Sequence, residues 1–154
     1  IDWMMNIKGK KSVDSIHKEL GRIMWDNVGM ARTKESLTEG LKRLKEVRKE
    51  FETELFIPGS KEGMNVELDK AIRLWDFITM GELIAHDALS REESCGGHFR
   101  EEHQTEEGEA KRDDENFFYV ACWEYQGSDD KEPVLLKEPL VYEAIKVQTR
   151  NYKS

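Results

Sequence analysis

Four side chains in the second half of the chain have the chemistry to hold a metal ion: Cys95, His98, His103 and Cys122. Two thiolates and two imidazoles suit tetrahedral zinc, but structural zinc sites usually open with a Cys-x₂₋₄-Cys pair. Here His103 sits among glutamates and Cys122 lies in a run that reads as strand, so no metal ligand is assigned. Cys95 and His98 are also the residue types of a nucleophile and its base. Such pairs are assembled across a fold, and closeness in sequence does not argue for one. Asp113-Asp114 beside Arg112 has the makings of a carboxylate pair for proton transfer, although a helix cap with an ion pair is the plainer use. Gly96-Gly97 follows a helical segment, whereas glycines that cradle phosphate precede one. The pair is read as a tight turn where backbone closely approaches another surface. The two cysteines are too few for a disulfide framework and are read as reduced thiols that pack like small hydrophobes.

The elements that must position these residues follow from periodicity. Val13, Ile16, Leu20 and Ile23 fall on one helical face, with Ser12 as the cap and Gly29 as a left-handed stop. A second helix is expected to start between Thr33 and Ser36, with either hydroxyl able to cap it, and Ser36 with Glu39 has the capping-box spacing. Its apolar stripe is Leu37, Leu41, Leu44, Val47, Phe51 and Leu55, and Pro58-Gly59 ends it. The short loop after it predicts an antiparallel third helix over 65–90, with Leu68, Ala71, Ile72, Trp75, Ile78, Leu83 and Ile84 facing inward. Trp25, Trp75 and the methionines are assigned to the core.

The run 117–125, rich in aromatic and β-branched residues, reads as a strand. Val134–Leu136 would return beside it, as an edge because Pro133 and Pro139 flank it, and 141–147 would form a third short strand. The expected fold is mainly α. An antiparallel three-helix bundle (1–92) is followed by a polar docking loop (93–116) and a short β-hairpin tail packed on the bundle (117–154), all in one domain.

Composition narrows the function classes. The chain has 154 residues and a net charge of −8. Residues 91–115 hold ten acids against four bases, so this one stretch carries six of those eight charges. An acidic domain lacks the footprint that neutralises phosphates, which argues against nucleic acid as a partner. With 38% hydrophobic residues, including four Trp and six Phe, the chain has enough apolar material for a core, so disorder is not expected. No apolar run approaches the roughly 20 residues of a membrane helix. The chain begins at Ile1 rather than Met, and it is expected to be a piece of a longer subunit.

One stretch has a specific likeness. Ser90-Arg91-Glu92-Glu93-Ser94-Cys95-Gly96-Gly97-His98-Phe99-Arg100-Glu101-Glu102, then Arg112-Asp113-Asp114-Glu115-Asn116-Phe117, resembles the C-terminal domain of the flavoprotein subunit of succinate dehydrogenase and fumarate reductase. That family's pattern is roughly Ser-Arg-x-Glu-Ser-Arg-Gly-x-His-x-Arg-Glu-Asp, then Arg-Asp-Asp and an aromatic. Asn27-Val28-Gly29-Met30-Ala31-Arg32-Thr33 and Glu82-Leu83-Ile84-Ala85-His86-Asp87-Ala88-Leu89 resemble two further pieces, a turn and a helix. The likeness covers most of the chain, from about residue 12 onward. Two departures stand out: Cys95 where the pattern has Arg, which a thiol cannot replace as a bidentate donor, and a long insert between Arg100 and Arg112. These look like a form found in anaerobic bacteria.

The resemblance implies a bundle, a polar loop and a β tail, in agreement with the reading from the residues. It implies FAD-binding and capping domains upstream, where flavin exchanges hydride with succinate or fumarate, and where the catalytic residues lie. No catalytic, cofactor-binding or metal residue carries over to this chain. The docking motif does: Ser94, Gly96, Gly97, His98, Arg100, Arg112, Asp113 and Asp114. The implied partners are the upstream domains, an iron–sulfur subunit and, indirectly, a membrane cytochrome b anchor. The implied place is the cytoplasmic inner face of the cell membrane, within a complex. FAD belongs to the full-length subunit and not to this part, so the part alone is expected to be inactive. The alternatives are the same domain in L-aspartate oxidase or a related flavoenzyme, and a free-standing acidic protein-binding module.

Overall fold

The structure, a computed structural model, describes residues 1–127 and 131–148. Helix α1 (Asp2–Asn6) is followed by α2 (Val13–Val28), the two-residue strand β1 (Ala31–Arg32), α3 (Lys34–Glu54) and α4 (Val66–Ser90). Then come β2 (Phe99–Arg100), the short helix α5 (Asp114–Phe117), β3 (Tyr119–Glu124) and β4 (Val134–Pro139). The fold is mainly α with a short β tail, as the periodicity implied. None of the described helices is long and apolar enough to cross a membrane.

Three long helices form the bundle. Ser12 caps α2 by accepting from the Ser15 amide, and Asn65 caps α4 by accepting from Leu68. Backbone pairing of Lys11 with Leu55 at one end, and an Arg43–Asn27 hydrogen bond of 3.2 Å toward the other, set α2 and α3 antiparallel. Arg48 with Glu82 and Phe51 with Trp75 (centroids 5.5 Å apart) set α3 and α4 antiparallel. Asp14 with Lys70 and His17 with Phe77 then run α2 parallel to α4. The shared core contains Ile16, Leu20, Ile23, Leu37, Leu44, Phe51, Leu74 and Ile78. Unannounced by periodicity, α1 lays Trp3 edge-on against Phe51 and Trp75 at the open end.

Several expectations need correction. Helix α3 is capped by Thr33 in a reciprocal box with Ser36, both bonds 2.9 Å, so Ser36 occupies the place assigned to Glu39. Gly29 is not left-handed (φ −65°). Its lack of a side chain matters instead because a Cβ there would lie 2.5 Å from the Trp25 carbonyl oxygen. Leu83 and Ile84 are exposed; Leu68, Ala71 and Ile78 face inward as expected, joined by Leu74 and by Gly81, Ala85 and Ala88, three small residues that let the helices approach. Trp25 is 84% exposed, and Met30, Met64 and Met80 are also on the surface; Met4 is the buried methionine. Phe117 belongs to α5 rather than to the strand.

Strands β3 and β4 pair antiparallel from Tyr119↔Pro139 to Glu124↔Val134. Along β3, Tyr119, Ala121 and Trp123 are half-buried while Val120, Cys122 and Glu124 are exposed, the alternation of a sheet with one covered face. The expected third strand is absent from the described residues 141–148. The ladder runs to Tyr119↔Pro139, one further bond joins the Leu140 amide to the Phe118 carbonyl at 3.2 Å, and the described residues 141–148 form no strand.

A candidate docking site at the loop end of the bundle

The four pieces that carry the resemblance meet at one end of the bundle. Residues 27–33 close α2 and open α3, residues 82–89 end α4, and the polar loop lies across both. Its anchor is a parallel pairing of β1 with β2, Ala31↔Phe99 and Arg32↔Arg100, extended by the Glu101 amide donating to the Arg32 carbonyl at 2.9 Å. The Glu102 carboxylate accepts from the Lys34 amide in the first turn of α3, where an anion complements the helix dipole. Burial works against the charged form of Glu102, but the Lys34 amide and Arg100 together hold its pKa below the ordinary 4.5.

Arg100 is the centre of the loop and only 1% exposed. Its Nη1 donates to the Ala88 carbonyl at 3.1 Å and reaches the Leu89 and Arg91 carbonyls at 3.4 Å. These are carbonyls at the end of α4, which lack intrahelical donors and bear the negative end of the dipole. Its Nε donates to Glu102 at 3.3 Å. Ser94, fully buried, locks the backbone beside it: the Arg100 amide donates to Ser94 Oγ, and Ser94 Oγ donates to the Arg100 carbonyl. Glu93, also buried, accepts from Arg91 at 2.8 Å and from the Asp113 amide at 2.9 Å, tying the two ends of the loop together.

His98 bridges the loop to both helix ends. Only its Nε2 can donate to the Arg91 carbonyl (2.9 Å), so Nδ1 accepts from Arg32 Nη1 (3.3 Å) and the ring is the neutral tautomer. Burial, then the charges of Arg32, Arg100 and Arg91, hold its pKa below the ordinary 6.5, against the pull of the Arg91 carbonyl. Arg91 continues the chain of contacts, donating to the Tyr119 carbonyl and lying over the rings of Phe117 and Tyr119. Trp123 Nε1 donates to Asp87 at 2.8 Å, with the His86 ring edge-on to it, which fastens the hairpin to α4.

The candidate residues therefore divide. Ser94 and Arg100 are interior and build the loop, and His98 is half-buried between them and Arg32. Arg112 pairs with Asp114 at the surface, while Asp113 caps α5 through the Asn116 amide. Asp113 has its pKa lowered chiefly by the hydrogen bond from the Asn116 side chain. Gly96 and Gly97 form the exposed tip of a two-residue turn closed by Cys95 and His98. Gly96 has φ +58°, the left-handed region, whereas a Cβ at Gly97 would meet nothing within 4 Å. Cys95 and Cys122 are free thiols. Among the described residues no three His, Cys, Asp or Glu side chains group as metal ligands. Residue types alone missed Arg32, Arg91, Glu93 and Glu102 as loop holders; the available signal was that all four fall in the quoted family-like segments.

Comparison with known proteins decides the family. The family of fumarate reductase flavoprotein C-terminal domains matches residues 17–152. The chain belongs to this family. It is 30% identical over 124 residues to the 8-methylmenaquinol:fumarate reductase flavoprotein subunit of Wolinella succinogenes, covering 76% of this chain and 19% of that one. It is 31% identical over 114 residues to the fumarate reductase flavoprotein subunit of Escherichia coli, covering 74% and 18%. The chain thus spans about a fifth of the length of these relatives. It superposes on a solved quinol–fumarate reductase chain with TM-score 0.76 at 26% identity, over 93% of this chain and 24% of that one. Against Sdh1 of Mycobacterium smegmatis in complex with UQ1 the TM-score is 0.73 at 25% identity, over 89% and 22%.

Proposed function

We propose that this domain is a structural and docking part of an FAD-dependent enzyme that interconverts succinate and fumarate. It holds the flavin-bearing part of its subunit against an iron–sulfur subunit, so that electrons pass from FAD to clusters and on to quinone. The observation that carries this is the arrangement of the polar loop. Buried Ser94, Glu93 and Arg100 spend their polar groups inside the chain, and the result is a fixed platform with a bare glycine tip facing outward. A loop that only capped a bundle would not need a projecting tip. The polypeptide carrying this domain would then sit on the inner face of the cell membrane through its partners, including a cytochrome b anchor.

The site residues Ser94, Arg100 and His98 hold the platform in this reading, Gly96 and Gly97 shape the contact, and Arg112, Asp113 and Asp114 set the return of the loop. FAD and every catalytic group lie outside these 154 residues. A second reading has support from the 39% identity over 84 residues to L-aspartate oxidase 2-a of Nicotiana tabacum, which covers 54% of this chain. The fumarate reductase matches extend over more of it. Activity separates the readings: the native polypeptide carrying this domain should reduce fumarate with a viologen donor and lack aspartate oxidation. The domain expressed alone should carry no flavin absorbance and reduce no fumarate. Flavin retained by the isolated domain, or aspartate oxidation by the native polypeptide, would overturn the proposal.

A further inference from the structure

We propose that His98 is a proton-operated latch that sets how firmly the polar loop is held against the α2–α3 turn. This deepens the docking reading and rests on it for its consequence in the assembled enzyme.

The latch follows from two hydrogen bonds of opposite sense. Nε2–H donates to the Arg91 carbonyl at the end of α4, and the Nδ1 lone pair accepts from Arg32 on β1. A proton taken from solvent by Nδ1 removes the acceptor and sets an imidazolium against a guanidinium 3.3 Å away. The charged groups around the ring do not relieve this. Arg32 on β1, Arg91 at the end of α4 and Arg100 on β2 all act on it as cations. The carboxylates nearby are engaged: Glu93 with Arg91, Glu102 with Arg100, and Asp87, whose charge acts on Arg32, with Trp123. Burial disfavours the cation further.

The consequence reaches past one side chain. Arg32 belongs to the two-residue pairing that anchors the loop, and Arg91 holds the Tyr119 carbonyl of the hairpin. Protonation of His98 therefore loosens the loop from the α2–α3 turn first. The direction is fixed by linkage: a histidine whose folded pKa is depressed contributes stability that is complete above its unfolded value and lost as pH falls.

Hydrogen-exchange mass spectrometry on the native polypeptide carrying this chain tests it, from about pH 7.5 to about pH 5, the span in which histidine changes charge. After correction for the intrinsic pH dependence of exchange, peptides covering 31–34 and 95–104 should lose protection, while a peptide from 41–51 in α3 should not. His98→Gln keeps a donor and an acceptor without titrating, and its loop protection should not vary with pH. Unchanged protection of the parent loop across that range overturns the latch, and so does a His98→Gln loop that loosens in step with the parent.

Discussion

Replacing Arg100 by methionine removes the guanidinium while filling much of its volume, and the structure allows the cost to be worked out. The 3.1 Å bond to the Ala88 carbonyl is a hydrogen bond from a charged donor, about 1.5–3 kcal/mol. The two contacts at 3.4 Å lie at the long end of hydrogen-bond geometry and add roughly 0.5 kcal/mol each. Glu102 is 40% exposed and regains water, so that pair adds less than about 1 kcal/mol. The total is about 2.5–5 kcal/mol, which in a domain of this size lowers Tm by roughly 5–20 °C. Urea unfolding of the chain followed by circular dichroism reads it directly. The control is Arg112→Met, whose partner Asp114 is 53% exposed and whose loss should cost less than about 1 kcal/mol. An Arg100→Met cost below about 1 kcal/mol, or one equal to the control, would refute the placement of Arg100 as the cap of α4.

Gly96→Ala should destabilise the chain by about 1 kcal/mol because of its positive φ, while Gly97→Ala, with open space around it, should be within about 0.5 kcal/mol of the parent in the same unfolding assay. Thr33→Ala should cost about 1 kcal/mol by breaking the reciprocal cap with Ser36. Since Glu102 is held below its ordinary pKa, its contribution is present above that value and fades as pH falls through the folded one. Glu102→Gln should therefore flatten the acid limb of the stability–pH curve measured by thermal unfolding.

The bundle was legible because burial imposes a period of 3.6 residues, and Val13, Ile16, Leu20 and Ile23 or Leu44, Val47 and Phe51 keep to it. Where the reading failed, periodicity had no means of telling which apolar residues face a neighbour. Leu83 and Ile84 are exposed, while Gly81, Ala85 and Ala88 make the contact, because small residues permit close helix approach but weigh little in a hydrophobic stripe. Helix α1 is too short to show a period. In the loop, a run with ten acids reads as a solvated surface, yet Glu93 and Arg100 are among the most buried side chains. Their burial depends on β1 meeting β2 across 68 residues, and two-residue strands leave no local pattern. The family-like motifs located that site where composition did not, but they did not show that Ser94 and Arg100 face inward.

The proposed docking role is tested most directly by Gly97→Trp in the full-length polypeptide carrying this domain, expressed with the iron–sulfur subunit proposed as its partner. A Cβ at Gly97 would meet nothing within 4 Å and the tip is exposed, so the isolated domain should unfold within about 0.5 kcal/mol of the parent. Purified complex containing both flavin and iron–sulfur clusters should fall sharply in yield, because the indole blocks the surface that the tip contacts. Assembly of the Gly97→Trp subunit in parental yield would contradict the docking role of the loop.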